Sequence, residues 1–252
     1  MECTLDAQLW CKLLVSLCDL AKDANIKFHP THGIECVCMD SAHVALCSFR
    51  VHVRDCETFS VAAPLIIGVN LDILSKIAKC NQHVKHVSLK SNDDTWLHLR
   101  FADDADATCN DYSIPLMHIE EDECCIPDDA DIDFDAYATL ASKVWEKKTR
   151  DATLMGEFVH IKTTAPGILH LNVSGDYGNC QFNLQKSDQV DVEGSCDGHQ
   201  YALKYLTHFN KARALSDRVQ IAIGASTPLR VRYTFGESGT MDFFLSPCLD
   251  EH

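Results

Sequence analysis

The feature that most constrains the fold of this chain is an internal repeat with an offset of 132 residues. The segment 71–80, LDILSKIAKC, is echoed by 203–212, LKYLTHFNKA, and both follow the pattern L-x-x-L-x-x-apolar-x-K. The same offset, without a gap, relates the alternating segment 97–101, LHLRF, to 229–233, LRVRY. Similarity that is kept over such a distance indicates two copies of one structural unit.

The spacing of apolar residues predicts two helices in each copy. They are expected over residues 5–22, 71–82, 135–150 and 200–215. In the third of these helices, Tyr137, Leu140 and Val144 are expected to face the interior. Segments that alternate apolar and polar residues predict strands. Two of them, GIECVCMDS and GILHLNVSG, open with a glycine, which indicates a turn before the strand.

An acidic stretch separates the two copies. From Ala102 to Ser142 the sequence holds 13 Asp or Glu residues and no Lys or Arg. Repulsion between like charges favours an extended connector, and the apolar Ile119 favours a docking role for it over that of a mere spacer. We therefore expect an α+β chain with an N-terminal domain over 1–116, a connecting loop over 117–134 and a C-terminal domain over 135–252.

The distribution of charge contrasts with its sum. The formal net charge is −15, which argues against a protein that coats nucleic acid with a generally basic surface. The four predicted helices nevertheless carry a formal charge of +6, so the remainder carries −21. If these helices share one face, that face can contact phosphates while the rest of the protein repels them.

The stretch MDSAHVAL brings together Asp40, Ser41 and His43, which are the residue types of a charge-relay hydrolase. A catalytic triad draws its groups from well-separated positions, whereas on a strand Asp40 would point away from Ser41 and His43. The G-x-S-x-G elbow that exposes a nucleophilic serine is missing around Ser41. We therefore expect no enzymatic activity, and a structural turn or a partner-binding loop remains for this stretch.

The sequence contains 14 cysteines but no C-x-x-C pair. The N-terminal residues lack the basic and apolar regions of a secretory signal, so the cysteines are expected to be free thiols in a reducing compartment. A metal site built on Cys36 and Cys38 with nearby histidines is the alternative to buried apolar thiols. We expect no metal and no cofactor. No run of 18 apolar residues exists, so no membrane contact is expected.

Six segments together resemble the proliferating cell nuclear antigen family, the eukaryotic DNA sliding clamps. They are MDSAHVAL, GVNLDILSKIAKC, the acidic connector ending in IP, ALKYLTHFNKA, STPLRVRY and FFLSPCLDE. The resemblance implies a DNA-clamp fold, in which two similar domains each pack two helices on curved antiparallel sheets. It also implies that three copies form a head-to-tail homotrimeric ring, which encircles double-stranded DNA without sequence specificity and acts as a processivity factor.

The family resemblance implies partners and a location as well. DNA polymerase, clamp loader, nuclease and ligase would bind through short peptide motifs during replication and repair in the nucleus, with a viral replication site as the alternative. Two variants of the fold stay open, namely a subunit of a hetero-oligomeric checkpoint-type clamp and a monomeric processivity factor. The net charge of −15 speaks against the monomeric form, which would need one strongly basic face.

The resemblance also assigns roles to residues. The expected DNA-facing residues are Lys12, Lys76, Lys79, Lys143, Lys147, Lys204, Lys211 and Arg213. The expected partner-peptide groove comprises Met39, His43, Val44, Cys124, Ile126, Pro127, Pro228, Phe244, Leu245, Ser246 and Pro247. The expected subunit interface joins an edge strand around Tyr112 and Ile114 to another that carries Cys180 and Phe182. Pro115 removes a possible backbone donor from the first edge.

Overall fold

The computed structural model describes residues 1–92, 95–103, 109–120, 132–165 and 167–248. The chain divides into two compact units, of which the first comprises Met1–Ser41, Cys47–Cys124 and Phe235–Met241. The second comprises Ala42–Leu46, Cys125–Thr234 and Asp242–His252. Within the described ranges, the helices are all too short or too polar to cross a membrane.

The first half of the chain runs strand, helix, five strands, helix and three strands. These elements are β1 (Glu2–Asp6), α1 (Ala7–Leu17), β2 (Asp23–His29), β3 (Gly33–Met39), β4 (Ala45–Val51), β5 (Thr58–Ser60), β6 (Leu65–Asn70), α2 (Leu71–Cys80), β7 (His86–Lys90), β8 (Trp96–Ala102) and β9 (Cys109–Pro115).

The second half repeats this order of elements. It comprises β10 (Ala136–Ala141), α3 (Ser142–Ala152), β11 (Phe158–Thr164), β12 (Ile168–Gly175), β13 (Gly178–Gln185), β14 (Val190–Gly194), β15 (Cys196–Ala202), α4 (Leu203–Phe209), β16 (Arg218–Ile223), β17 (Leu229–Phe235) and β18 (Gly239–Leu245). A short 3-10 helix, Asn210–Leu215, continues α4.

The order of the strands within the sheets repeats as well. The order β5-β1-β7-β8-β9 in the first half returns as β14-β10-β16-β17-β18 in the second, and β4-β3-β2-β6 returns as β13-β12-β11-β15. Because the elements and their pairing both repeat, the offset of 132 residues in the sequence marks a repeated fold. The predicted α+β class with two similar domains is confirmed.

The interior of each unit follows from the periodicity of its elements. Val87 and Val219, which are related by the repeat, are both buried on strands that follow a helix. Trp10 on α1 and Trp145 on α3 are fully buried. Asp6 begins α1 by accepting a hydrogen bond from the Leu9 amide at 2.6 Å, which satisfies one of the free N–H groups of the first turn.

The expected third helix is corrected by the structure. Residues Ala136–Ala141 form strand β10, and the helix begins only at Ser142. Tyr137 and Leu140 therefore lie on a strand, where they point to opposite faces and only Leu140 is buried. The predicted first and fourth helices also begin later than expected, because the strands β1 and β15 precede them. The first helix ends at Leu17, and the second keeps its start at Leu71 and ends at Cys80.

Glycine begins two of the predicted strands for a steric reason. Gly33 and Gly167 have φ values of 99° and 102°, which side chains of L-residues rarely adopt. A Cβ at Gly33 would also collide with the carbonyl oxygen of Val51. The glycine turns predicted from the sequence are confirmed at both positions.

Candidate functional site

The expected DNA-facing residues lie on the helices or directly after them. On α2, Lys76 and Lys79 are exposed, and on α1 Lys12 is half-buried. Burial raises the pKa of the Cys11 thiol on α1, and the charges of Lys79 and Lys12 oppose this rise. In the second unit, the exposed members of the set are Lys143, Lys147, Lys204 and Lys211.

An ion pair compensates one positive charge among the expected DNA-facing residues of the second unit. The Nε of Arg213 lies 2.9 Å from Oε2 of Glu146 on α3, with both side chains about one-third exposed. Arg213 therefore neutralises a neighbouring carboxylate instead of presenting an uncompensated positive charge. The same pair ties the 3-10 helix to α3, and Asn210 supports it by donating to the hydroxyl of Thr149 at 2.8 Å.

A lysine of α3 contacts an aromatic ring. The Nζ of Lys148 lies over the ring of Phe182, 4.8 Å from its centroid, at the distance of a cation–π contact. Phe182 belongs to β13 and was expected at the subunit interface. Lys148 thus links a helix of the expected DNA face to the edge strand of its own unit.

The two strands that were expected at the interface are sheet edges among the described strands. β9 pairs only with β8, and β13 pairs only with β12. An unpaired edge presents a row of free N–H and C=O groups that can pair with another chain. Of the residues assigned to these edges, Ile114 is buried, whereas Tyr112, Cys180 and Phe182 are half-buried.

The register of β9 shows which backbone groups are free. The amide of Leu116 donates to the carbonyl of Thr95 at 2.9 Å, next to the pair formed by Trp96 and Pro115. Bonded and non-bonded pairs alternate along an antiparallel ladder. Consequently the backbone N–H and C=O groups of Ile114 point towards β8. The backbone of Pro115 faces the free edge, and because proline has no N–H, this edge lacks one hydrogen-bond donor.

The register of β13 follows in the same way. The amide of Lys186 donates to the carbonyl of Gly167 at 3.3 Å. By alternation, Gln185 and Asn183 have their backbone groups on the free edge, while Phe182 pairs with Leu171 of β12. On each of these strands, alternate residues therefore direct their backbone groups away from the one described strand with which it pairs.

Two segments that were expected to border the peptide groove lie side by side within the second unit. The amide of Ser246 donates to the carbonyl of Val44 at 3.0 Å, which brings the segment after β18 against the loop of His43. His43 is exposed with a φ of 56°, an unusual conformation for a residue other than glycine. Pro228 and Ser246 are exposed, and Pro247 is half-buried.

Other residues that were expected in the groove are more buried or lie outside the described residues. Leu245 is fully buried, so its side chain packs in the core. Phe244 is 9% exposed, and Met39 is half-buried at the end of β3. Cys124, Ile126 and Pro127 lie outside the described residues.

The start of the connector is anchored rather than extended into solvent. The amide of Met117 donates to the carbonyl of Gly68 at 2.8 Å, and the side-chain amide of Asn25 donates to the carbonyl of Ile119 at 3.1 Å. A Cβ at Gly68 would collide with the carbonyl oxygen of Met117. Met117 therefore forms an antiparallel bridge with Gly68 of β6, where a glycine leaves room for it, and Ile119 is held by Asn25 of β2.

The residue types that suggested a hydrolase or a metal site differ in their exposure to solvent. Asp40 is buried, whereas Ser41 and His43 are exposed. Cys36 and Cys38 are buried, and the hydrogen bond with Cys38 together with burial raises the pKa of the Cys36 thiol. Among the residues that the structure describes, no three His, Cys, Asp or Glu side chains are arranged to hold a metal ion.

Comparison with known proteins accounts for this combination of features. The family model of the proliferating cell nuclear antigen N-terminal domain matches residues 1–124, and that of the C-terminal domain matches residues 126–248. The chain belongs to the proliferating cell nuclear antigen family. It is therefore a DNA sliding clamp, a processivity factor of DNA replication that is not an enzyme.

Individual members of the proliferating cell nuclear antigen family resemble the chain over nearly its whole length. The proliferating cell nuclear antigen of Chaetomium thermophilum is 29% identical over 245 residues, which cover 94% of this chain and 93% of the relative. That of Dictyostelium discoideum is 28% identical and covers 98% of both chains. That of Caenorhabditis elegans is 27% identical and covers 98% of this chain and 95% of its own.

Some functional contacts of this clamp escaped the reasoning from sequence. Glu146 and Lys148 were counted only as charges of a helix, because nothing in a linear pattern pairs them with Arg213 or Phe182. Asn81 carried no signal at all, although it is buried beside Tyr112. The predicted roles of the site residues and the predicted limits of the two domains remain predictions.

Proposed function

We propose that three copies of this chain close head-to-tail into a homotrimeric ring around duplex DNA. The observation that carries the proposal is that β9 and β13, two of the strands that end a sheet among the described residues, present unlike edges in one chain. A contact between two unlike edges is heterologous, and its repetition around an axis gives a ring when the rotation closes. The number of three subunits rests on the family.

Contact with DNA would run through the lysines of the helices. Lys76 and Lys79 on α2 and Lys143 and Lys147 on α3 are exposed in a chain whose net charge is −15. Such cations contact phosphates, which carry no sequence information, so the ring would slide without sequence preference. Arg213 contributes less to this face than its charge suggests, because Glu146 neutralises it.

Partner proteins would dock through short peptides at the groove beside His43. The Val44–Ser246 hydrogen bond holds the rim of this groove, and Pro228 and Pro247 contribute accessible apolar surface. The partners are DNA polymerase, the clamp loader, nucleases and ligase, which act in replication and repair in the nucleus. Ser246 and Phe244 differ from the Ala and Tyr common in the family, so the preferred motif is expected to differ from the usual Q-x-x-aliphatic-x-x-aromatic-aromatic.

The molar mass in solution tests the ring. Light scattering behind a sizing column, across a dilution series under reducing conditions, should give about 84 kDa, three times the 28.1 kDa of one chain. Phe182→Asp places a charge on the β13 edge and should shift the mass to that of the monomer. A wild-type monomer at all concentrations would contradict the homotrimer and direct attention to hetero-oligomeric partners.

A further inference from the structure

One buried side chain connects the end of helix α2 to the free edge of β9. Asn81 follows α2 directly as its C-terminal capping residue and is 1% exposed. Its side-chain nitrogen donates to the carbonyl of Ile77 at 2.8 Å and to the hydroxyl of Tyr112 at 3.1 Å. Its side-chain oxygen accepts from the side-chain amide of Asn110 at 2.8 Å. Asn81 therefore contacts its own helix and two residues of the edge strand.

The orientation of the Asn81 amide is fixed by these partners. The carbonyl of Ile77 accepts only, so the nitrogen of the amide must face it. The remaining hydrogen of that nitrogen then lies towards Tyr112, whose hydroxyl oxygen acts as the acceptor. If the side-chain amide of Asn81 turned away from these partners, a buried N–H donor would be left unsatisfied. An unsatisfied buried donor costs more free energy than a hydrogen bond contributes.

Tyr112 is held at two points. Asn81 fixes its hydroxyl, and the ring packs edge-to-face on Phe101 of β8 with 5.9 Å between centroids. The ring nevertheless remains half-buried, because β9 ends the sheet among the described strands. A strand added to this edge would place its own side chains directly beside Tyr112.

We infer that Asn81 is a positioning residue for assembly, which holds Tyr112 in place for a second copy of the chain. This inference rests on the proposed ring. Binding immobilises side chains at an interface, and a side chain that is already fixed loses less conformational entropy at that step. Asn81 thus lowers the cost of adding a strand to β9, and it does so from the end of the helix that carries Lys76 and Lys79.

The expected effect can be expressed as a shift in concentration. Releasing one side chain at each interface weakens that interface by about fivefold. Three interfaces multiply this to about 100-fold in the trimer dissociation constant. The midpoint of a monomer–trimer equilibrium follows the square root of that constant, so the midpoint concentration rises by about tenfold.

The test measures the midpoint of dissociation by light scattering for the wild type, Asn81→Ala, Tyr112→Phe and the double variant. Asn70→Ala is the matched control, because Asn70 caps the other end of α2 by accepting from the Ile73 amide at 2.9 Å, and its side-chain amide donates to Asp23 of β2 at 2.7 Å. We expect each single variant to raise the midpoint about tenfold, the double variant to add little, and the control to leave it unchanged.

Several results would overturn the inference. Tyr112→Phe keeps the ring that packs on Phe101, so it tests the contact even if Asn81→Ala fails to fold. An unchanged midpoint in Tyr112→Phe shows that Asn81 has a structural role only. Additive effects in the double variant show that the two residues act separately, and an equal effect of Asn70→Ala shows that helix stability alone matters. A monomeric wild type overturns the inference together with the proposed ring, whereas the other results leave the ring intact.

Discussion

Replacing Pro115 by alanine should strengthen the association of subunits. The hydrogen bond from Leu116 to Thr95 sets the register of β9 so that position 115 faces the free edge. Alanine supplies an N–H group at this position, and each interface can gain one backbone hydrogen bond with the neighbouring strand. The predicted change therefore concerns an interchain bond and leaves the pairing of β9 with β8 as it is.

The magnitude follows from the number of interfaces. One hydrogen bond contributes about 1 kcal/mol net, or about fivefold in affinity. Over three interfaces the dissociation constant of the trimer falls by about 100-fold, and the midpoint concentration of dissociation falls by about tenfold. At the same time, loss of the proline ring gives freedom to the unfolded chain and lowers the stability of the subunit by about 0.4–1 kcal/mol.

The assay combines light scattering across a dilution series with urea unfolding. Pro64→Ala is the control, since Pro64 is exposed in the loop before β6 and belongs to neither β9 nor β13. We expect both variants to unfold slightly more easily and only Pro115→Ala to dissociate at lower concentration. If Pro115→Ala dissociates at the wild-type concentration or above it, position 115 does not face a neighbouring strand, and the reasoning from register is refuted.

Three further predictions follow from single contacts. Lys79→Ala should weaken binding to duplex DNA and reduce its salt dependence, whereas Arg213→Ala combined with Glu146→Ala should leave both nearly unchanged because the pair is neutral; DNA titrations at several salt concentrations distinguish the two. Burial raises the pKa of Tyr233 above its ordinary 10.0, so its stabilising effect is present below pH 10 and is lost as the pH rises further; Tyr233→Phe should flatten the fall in unfolding free energy between about pH 10 and 12. Exposed Cys80 should react with a thiol reagent in the native protein, whereas buried Cys3 should react only on unfolding, as peptide mapping of the labelled sites would show.

The repeat predicted the fold well because its evidence is distributed over many positions. The alternating segments 97–101 and 229–233 fall within β8 and β17, and the helical patterns that begin at Leu71 and Leu203 coincide with the starts of α2 and α4. Buried positions such as Val87 and Val219 keep their place because the period of a strand decides which side chains reach the core. Composition and charge then restricted the function without defining it.

The errors have a local cause. Tyr137, Leu140 and Val144 fit a helical spacing, but Ala136, Ala138 and Leu140 alternate equally well, and the alternating set is the one that is buried in β10. A six-residue strand directly before a helix offers too few positions to separate the two periods. Tertiary pairing with β14 and β16 decided the outcome, and no window of local sequence contains that information.

The contacts within the site could not be predicted for a different reason. Asn81 lies 31 residues from Tyr112, and Arg213 lies on a different element from Glu146. Such pairs depend on how helices and strands pack, and their residue types are common on any surface. The family resemblance supplied roles for Tyr112 and Arg213 but not the partners that restrain them.

The central claim is that the protein encircles DNA, and retention on a DNA of closed ends tests it most directly. One end of a linear duplex is blocked, the protein is allowed to thread on from the free end, and that end is then blocked as well. The DNA is washed with high salt, which disrupts contacts between lysines and phosphates. A ring should remain on the DNA after washing and leave it when a nuclease cuts the duplex. Protein that washes off with salt, or that stays bound after the cut, would contradict a topological clamp.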